Sequence, residues 1–406
     1  MKPSFRTESS EVEAYELGRE VMDFSKLSRR DFIRSTAMGA AGVTLAQIPV
    51  CSFALGDKPE PTEKPIYRFV LLGDMHYDRI EHHDMKWVAD THPGDINQIK
   101  GYVENSEKYT PELLARVKKV VASSEVRVPF VLQLGDLTEG LCGSYDLAAK
   151  QISDVTGFIE QADLGAPFLM CKGNHDITGP GAAEAYDKVL VPWIGKQAGQ
   201  KLTTAHFSAL YKGDLFVFFD AYKPNLDWLQ KEFDRSPKAR NTFVLLHPPV
   251  VPYNARADWT VLAGETARPQ RQRFIEMLSK RNAIVLSGHL HKYGLLEHQT
   301  SKGRFTQLAV SSVLRSHTKV RDERIGVEAY SQDLIAMEPN FNPATRERRT
   351  MLVQEEKPSV RRFEYADLAG YAVIDVFEKA VTCQVFGGAA DTPYRSVSVT
   401  AAGAGV

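Results

Sequence analysis

Five short apolar runs in this chain each stop on side chains that a hydrophobic core does not hold unaided. "YRFVLLGDMH" ends on Asp74 and His76, and "PFVLQLGD" ends on Asp136. "PFLMCKGNHD" ends on Asn174, His175 and Asp176, "TFVLLH" on His247, and "NAIVLSGHLH" on His289 and His291. The runs are β-branched and aromatic and are bounded by turn residues, the pattern of buried strands. Residues two apart in an extended segment share a face, so Asp74 converges with His76 and His289 with His291. Taken singly, each fragment has a plainer reading. A GD pair is a turn, GNHD opens a helix with an N-cap, and one His after a strand is a hydrogen-bonded core residue. Taken together they point to one shared site, because layered α/β proteins gather their sites at the carboxyl ends of strands. Burying so many carboxylates and imidazoles without a cation leaves polar groups unpaired, at about 1–3 kcal/mol each. One or two divalent metals remove that penalty.

Between the strands lie helical patterns: "PELLARVKKVVASS", "DLAAKQISDVTGFIEQA", "NLDWLQKEFDR" and "RPQRQRFIEMLSKR". Further strands are expected at "DLFVFFD" and "FTQLAVSS". Strands alternating with helices predict a layered α/β domain with largely buried sheets. "GYAVIDVFEKAVTCQVFGG" reads as a closing hairpin over 369–390, followed by a tail over 391–406. Residues 314–368 are polar without a clear period and read as an insertion, a lid or an oligomer arm. The catalytic core is then expected over 66–313.

The N-terminus carries a different message. "SRRDFIR" precedes the mild apolar stretch "STAMGAAGVTLAQIPV" and the small-residue end "SFA" at Ala54. A basic region, a short apolar region and a small-residue cleavage site describe a signal peptide. The paired Arg29 and Arg30 resemble the twin-arginine type, whose export machinery carries folded proteins across a bacterial inner membrane. The expectation is a signal over 1–54, a flexible leader over 55–65 and a periplasmic or secreted mature protein. The start is either Met1 or Met22, since the residues before Ser28 are acidic. The apolar stretch is too short for a permanent membrane span. Cleavage after Ala54 removes Cys51 and leaves three cysteines, an odd number that argues against a disulfide framework. The 50 basic and 51 acidic residues leave a formal net charge of −1. No whole-molecule field exists to hold nucleic acid stably, so any attraction for a charged substrate is local.

The ordered set DxH, GD, GNH with an acidic residue, single His and GHxH resembles the calcineurin-like metallophosphoesterase superfamily. Every element stands in order from Asp74 to His291. "HFSALYKGDLFVFFDAY" followed by "LDWLQKEF" is similar to the family's strand pair and following helix. The resemblance implies a four-layer α/β/β/α sandwich of two mixed sheets flanked by helices. It also implies two metal ions, Mn, Fe, Zn or Co, because the ligand set mixes oxygen and nitrogen. One metal is expected on Asp74, His76, Asp136 and His291, and the other on Asp136, Asn174, His247 and His289. Asp136 bridges them, and metals so bridged lie about 3.5–4 Å apart. A hydroxide between them is expected to attack the phosphorus of a small phosphate ester in line, in a phosphodiesterase or phosphomonoesterase reaction. His175 is expected above the metals, stabilising the transition state or protonating the leaving oxygen, with the adjacent Asp176 orienting it.

Loops after the strands read the rest of the substrate. The residues expected there are Tyr77, Tyr253 and Arg256, with Trp259 in the same loop as the last two. His82 and His83 read as solvated loop residues. Two rival functions share the fold: a non-catalytic binding or scaffold module, and a metal-sequestering protein. Scaffold modules on this fold usually lose ligands or the His of GNH, and this chain keeps all of them. A sequestering protein needs neither His175 nor large loops. Neither oligomeric state nor ester class follows from the sequence.

Overall fold

The computed structural model describes residues 22–23, 63–254, 259–313, 320–331 and 343–400. The strands are β1 (Met22–Asp23), β2 (Tyr67–Leu72), β3 (Val131–Gln133), β4 (Phe168–Met170), β5 (Phe207–Tyr211), β6 (Asp214–Phe218), β7 (Thr242–Leu245) and β8 (Ile284–Ser287). They continue with β9 (Tyr293–Thr300), β10 (Gly303–Ala309), β11 (Glu323–Ile325), β12 (Val360–Ala366), β13 (Gly370–Val376), β14 (Val381–Gly387) and β15 (Arg395–Ser398). They form a nine-stranded sheet in the order β1-β5-β6-β7-β8-β10-β9-β12-β11 and a six-stranded sheet in the order β15-β14-β13-β2-β3-β4. Both sheets are mixed. The neighbours β2, β3 and β4 run parallel in one, and β6, β7 and β8 run parallel in the other.

Strand alternation builds the layers. Phe216, Phe243, Leu245 and Leu286 face the six-stranded sheet, where Phe69 meets Phe216 and Phe243 edge-on at 5.7 and 5.5 Å between ring centroids. Their neighbours Leu215, Val217, Val244 and Val285 point the other way, into a second core with Leu229 and Phe233 of α7 (Leu226–Arg235) and Phe274 and Leu278 of α8 (Arg268–Arg281). The far face of the six-stranded sheet is covered by α3 (Thr110–Ser123), through Leu113 and Val117, and by α4 (Tyr145–Ala162), through Ile152 and Val155. The result is the α/β fold expected, two mixed sheets flanked by helices. Helix starts are local chemistry: Ser144 accepts from the Leu147 amide to open α4, and Asn225 accepts from the Trp228 amide to open α7.

The described part of region 314–368 is built into the fold. Its last part is β12, which pairs antiparallel with β9 and buries Val360 and Phe363. Its helix α9 (Pro343–Glu356) docks on α8, where Glu355 accepts from Arg268 and Arg271. The strand was hidden because Arg361 and Arg362 interrupt its apolar side. The tail after 390 contributes β15, paired with β14. The three cysteines Cys142, Cys171 and Cys383 are buried and free. No helix among the described residues is long and apolar enough to cross a membrane. The twin-arginine motif, Ala54 and the leader up to Thr62 lie outside the described residues.

Candidate metal centre

All five polar strand ends meet at the edge where β2, β3 and β4 of one sheet face β7 and β8 of the other. Donor atoms of Asp74, His76, Asp136 and His291 lie within 4.8 Å of one another, and so do those of Asp136, His247 and His289. His247 Nε2 is 2.9 Å from Asp136 Oδ2 and 3.1 Å from His289 Nδ1, while His76 Nε2 is 3.0 Å from His291 Nε2. Asn174 borders the second group through Tyr222, whose hydroxyl donates to Asn174 Oδ1 at 3.3 Å and whose ring lies 6.5 Å from that of His247.

The local backbone explains how short loops deliver so many donors. Asp74, His76, Asp136, His289 and His291 all have positive φ, between 43° and 72°. Asp and His tolerate that region better than most residues, yet each such placement costs on the order of 1–3 kcal/mol and persists only when its surroundings enforce it. The glycines of the motifs serve close approach. A Cβ on Gly173 would lie 2.0 Å from the Asp136 amide nitrogen, and Gly135, at φ +88°, would meet His247 Nδ1 at 2.7 Å.

Charge within the cluster is strongly coupled. Burial raises the Asp74 carboxyl to about 6, against the pull of His247. Burial also pushes Asp136 up, but His247, His175 and His76 together outweigh it and hold the carboxyl well below its usual range. Burial lowers His247 and His175, yet Asp136 and Asp74 lift the first to about 9, and Glu139 and Asp136 lift the second to about 10. Asp74 Oδ2 is buried and accepts no hydrogen bond. A bare carboxylate oxygen beside three imidazoles and a second carboxylate is the donor set a divalent cation completes.

A model of the calcineurin-like phosphoesterase family matches residues 67–293, more than half of the sequence. The chain belongs to that family. Among solved structures, this phosphoesterase-family chain is similar to a purple acid phosphatase from seeds of yellow lupin (Lupinus luteus), at 12% identity over 84% of this chain and 55% of that one, with a TM-score of 0.45. It spans little more than half the length of the lupin protein. A dimetal phosphatase from Danio rerio matches at 14% identity over 83% of this chain and 99% of that one, with a TM-score of 0.47. The anchor in the inner membrane complex of Plasmodium matches at 11% identity over 83% and 89%, with a TM-score of 0.44. No curated protein matches.

Several expected roles change in this phosphoesterase-family site. Asp176 does not orient His175. Its oxygens accept from the amides of Asp136, Leu137, Thr138 and Gly173, so it fixes the loop that carries Asp136. The partner of His175 is Glu139, a residue the sequence reading missed. His175 Nδ1 lies 2.8 Å from the Glu139 carbonyl oxygen and 3.2 Å from its carboxylate, and the same carboxylate takes His76 Nδ1 at 2.8 Å. Burial pushes Glu139 up, but His175 and His76 overcome it and bring the carboxyl to about 2. Tyr77 is no substrate contact. It is 2% exposed, stacks on Phe158 and accepts from Arg79. Tyr253 is 1% exposed and donates to the Lys292 carbonyl, so it too belongs to the framework. Arg256 lies outside the described residues. His82 and His83 are buried rather than solvated, held by Asp154 and Asp78 respectively at 2.8 and 2.9 Å.

Proposed function

We propose that the chain is a dinuclear metal-dependent hydrolase of phosphate esters. The observation that carries this reading is the buried Asp74 Oδ2, without a hydrogen bond, inside a converging set of six Asp and His candidate ligands, with Asn174 bordering them through Tyr222. Asp74, His76, Asp136 and His291 would hold one cation, and Asp136, Asn174, His247 and His289 the other. When bound, such cations act as Lewis acids on phosphoryl oxygens and lower the pKa of water to near 7.

The chain's own residues do the rest. Two divalent cations set against Asp74 and Asp136 leave a positive excess, and the neutral amide of Asn174 preserves it. Glu139 does not cancel that excess, because its charge is matched by His175. A phosphate ester is thereby drawn to a site on a nearly neutral protein. His175 has a ring 20% exposed, its Nδ1 committed to Glu139, so Nε2 is the atom free to give a proton to the leaving oxygen. Metals would be acquired before export by the twin-arginine machinery, a route supported by Arg29 and Arg30. Deletion of residues 1–54 should then leave the protein in the cytoplasm.

The reading is tested by reconstituting the chain with Mn²⁺, Zn²⁺, Co²⁺ or Fe and assaying matched chromogenic monoester and diester substrates. Metal-dependent release from either supports it. Two tightly bound metals without turnover of any ester would favour sequestration instead.

A further inference from the structure

The stretch between β2 and β3 lays a helix, α2 (Ile96–Lys108), along the segment that carries His76. Residues four apart on a helix stand one above the other, so Gln98, Tyr102 and Ser106 form one stripe. Gln98 Nε2 donates to Glu139 Oε1 at 2.9 Å. The Tyr102 ring stacks on the His76 imidazole, with 4.3 Å between centroids and 6° between planes. Ser106 Oγ accepts from the Asp78 amide and donates to the Tyr102 carbonyl, both at 2.8 Å. Tyr102 and Ser106 are buried, whereas Gln98 is exposed and reaches inward with its amide.

What this stripe holds is a pair of ring orientations. Glu139 is fully buried, and its Oε2 serves both His76 Nδ1 at 2.8 Å and His175 Nδ1 at 3.2 Å. A carboxylate gripped at one oxygen still turns about its last torsion, whose wells are broad. Gln98 on Oε1 is the second grip, and two grips fix the carboxylate plane. The stacked Tyr102 ring fixes the plane of His76, whose other nitrogen, Nε2, lies 3.0 Å from His291 Nε2. Ser106 ties down the backbone two residues past His76. Three side chains of one helix face thus act on the same two imidazoles.

Resting on the hydrolase reading, we infer that Gln98 and Tyr102 are positioning residues, through which α2 sets the rings of His76 and His175. Gln98 acts on both through Glu139, and Tyr102 acts on His76 by stacking. With Gln98 gone, Glu139 can turn and the His175 ring turns with it, so its proton no longer meets the leaving oxygen squarely. An alkoxide needs that proton to depart, whereas a nitrophenolate leaves without it. Loss of Gln98 is therefore felt most by esters with poor leaving groups.

Gln98→Met keeps the side-chain length and removes the donor at an exposed position. NMR of the histidine ring N–H protons in the full chain loaded with Zn²⁺ reads the inference without turnover. In the parent protein, the Nδ1 protons of His76 and His175 should resonate downfield and exchange slowly, and the signal lost in His175→Ala belongs to His175. Gln98→Met should shift both and speed their exchange with zinc content unchanged. Tyr102→Leu should shift the His76 signal, and Tyr102→Phe should leave it in place. In turnover, kcat of Gln98→Met for an alkyl ester should fall about ten- to a hundredfold and for the matching nitrophenyl ester about threefold or less, with KM steady. Ring signals unmoved in Gln98→Met, slow downfield protons missing from the parent, or equal rate losses for the two esters would overturn the positioning role. Shifted signals in a protein that turns over no ester would overturn the hydrolase reading alone.

Discussion

Glu139 grips His175 twice, its carbonyl oxygen 2.8 Å and its carboxylate 3.2 Å from the ring's Nδ1. The same carboxylate reaches behind His76, so one buried acid ties a candidate metal ligand to the candidate proton donor. Glu139→Gln keeps the shape and removes the charge. The expected result is a 10–100-fold loss in activity or metal affinity, the usual effect of losing such a supporting carboxylate. His175 should also lose its proton at lower pH, so the alkaline limb of the pH–rate profile moves down. An unmoved limb in a fully metallated variant would show that Glu139 only packs.

Asp136 belongs to both donor groups assigned to the metals, whereas His175 gathers with His76 and Glu139 in a third group that lacks Asp136. Asp136→Ala should therefore empty both metal positions by elemental analysis and abolish turnover. His175→Ala should keep its metals and slow hydrolysis by about 10²–10⁴-fold. Equal metal loss in the two variants would contradict the division of roles.

Stability of the metal-free chain should fall as pH rises from about 6.5 to 10. His247, at about 9, and His175, at about 10, are raised above the ordinary 6.5, so their contribution is complete below 6.5 and lost through those values. Asp74 has the same sign at lower pH, contributing below 3.8 and losing that contribution through about 6. Glu139, depressed to about 2, contributes above 4.5 and fails only as pH falls through 2. Metals require deprotonated imidazoles, so the rise in Tm on adding metal should grow over pH 6.5–10. Parallel melts with chelator and with metal measure this, and a metal-free Tm that climbs with pH would refute it.

Lys172 and Asp220 form a buried ion pair at 2.6 Å, and Asp220 also accepts from the amides of Tyr222 and Lys223. Lys172→Met strands Asp220 as an uncompensated charge. Denaturant unfolding should show a loss of about 3–5 kcal/mol, and Lys172→Met with Asp220→Asn should recover part of it.

Gly173→Ala forces a methyl against the Asp136 amide and carboxylate. Metal affinity should drop sharply while circular dichroism stays native. Retained affinity would mean that the loop yields more easily than its neighbours allow.

The strands that end in Asp, Asn and His were legible because their apolar runs are uninterrupted and their motifs stand in order. The inner strands of both sheets and the four helices named from periodicity follow from the same signal, whereas β9, β11 and β12 at one end of the larger sheet did not. Glu139 was not legible. Three residues past Asp136 in "GDLTEG" it reads as a loop acid, and only its neighbours Leu141 and Cys142, both buried, hinted that the loop turns inward. Tyr77 and Tyr253 misled because an aromatic beside a motif packs beneath it as readily as it faces a substrate. His82 and His83 misled in the opposite sense: Asp154, the partner of His82, stands 72 residues away, and Asp78, the partner of His83, is close in sequence but reads as a loop acid. Long-range polar pairing leaves no period in a sequence.

The left-handed backbone at Asp74 has a consequence for inheritance. There a residue with φ 49° carries an oxygen with no donor and a carboxyl raised by burial, three costs that Asp74→Gly would remove together. Set against them is the bond that Asp74 Oδ1 takes from the His289 amide, so losing this candidate ligand should cost the fold less than losing an ordinary buried aspartate. A relative without this carboxylate would keep a sturdy scaffold, ready to be recruited for holding rather than cutting.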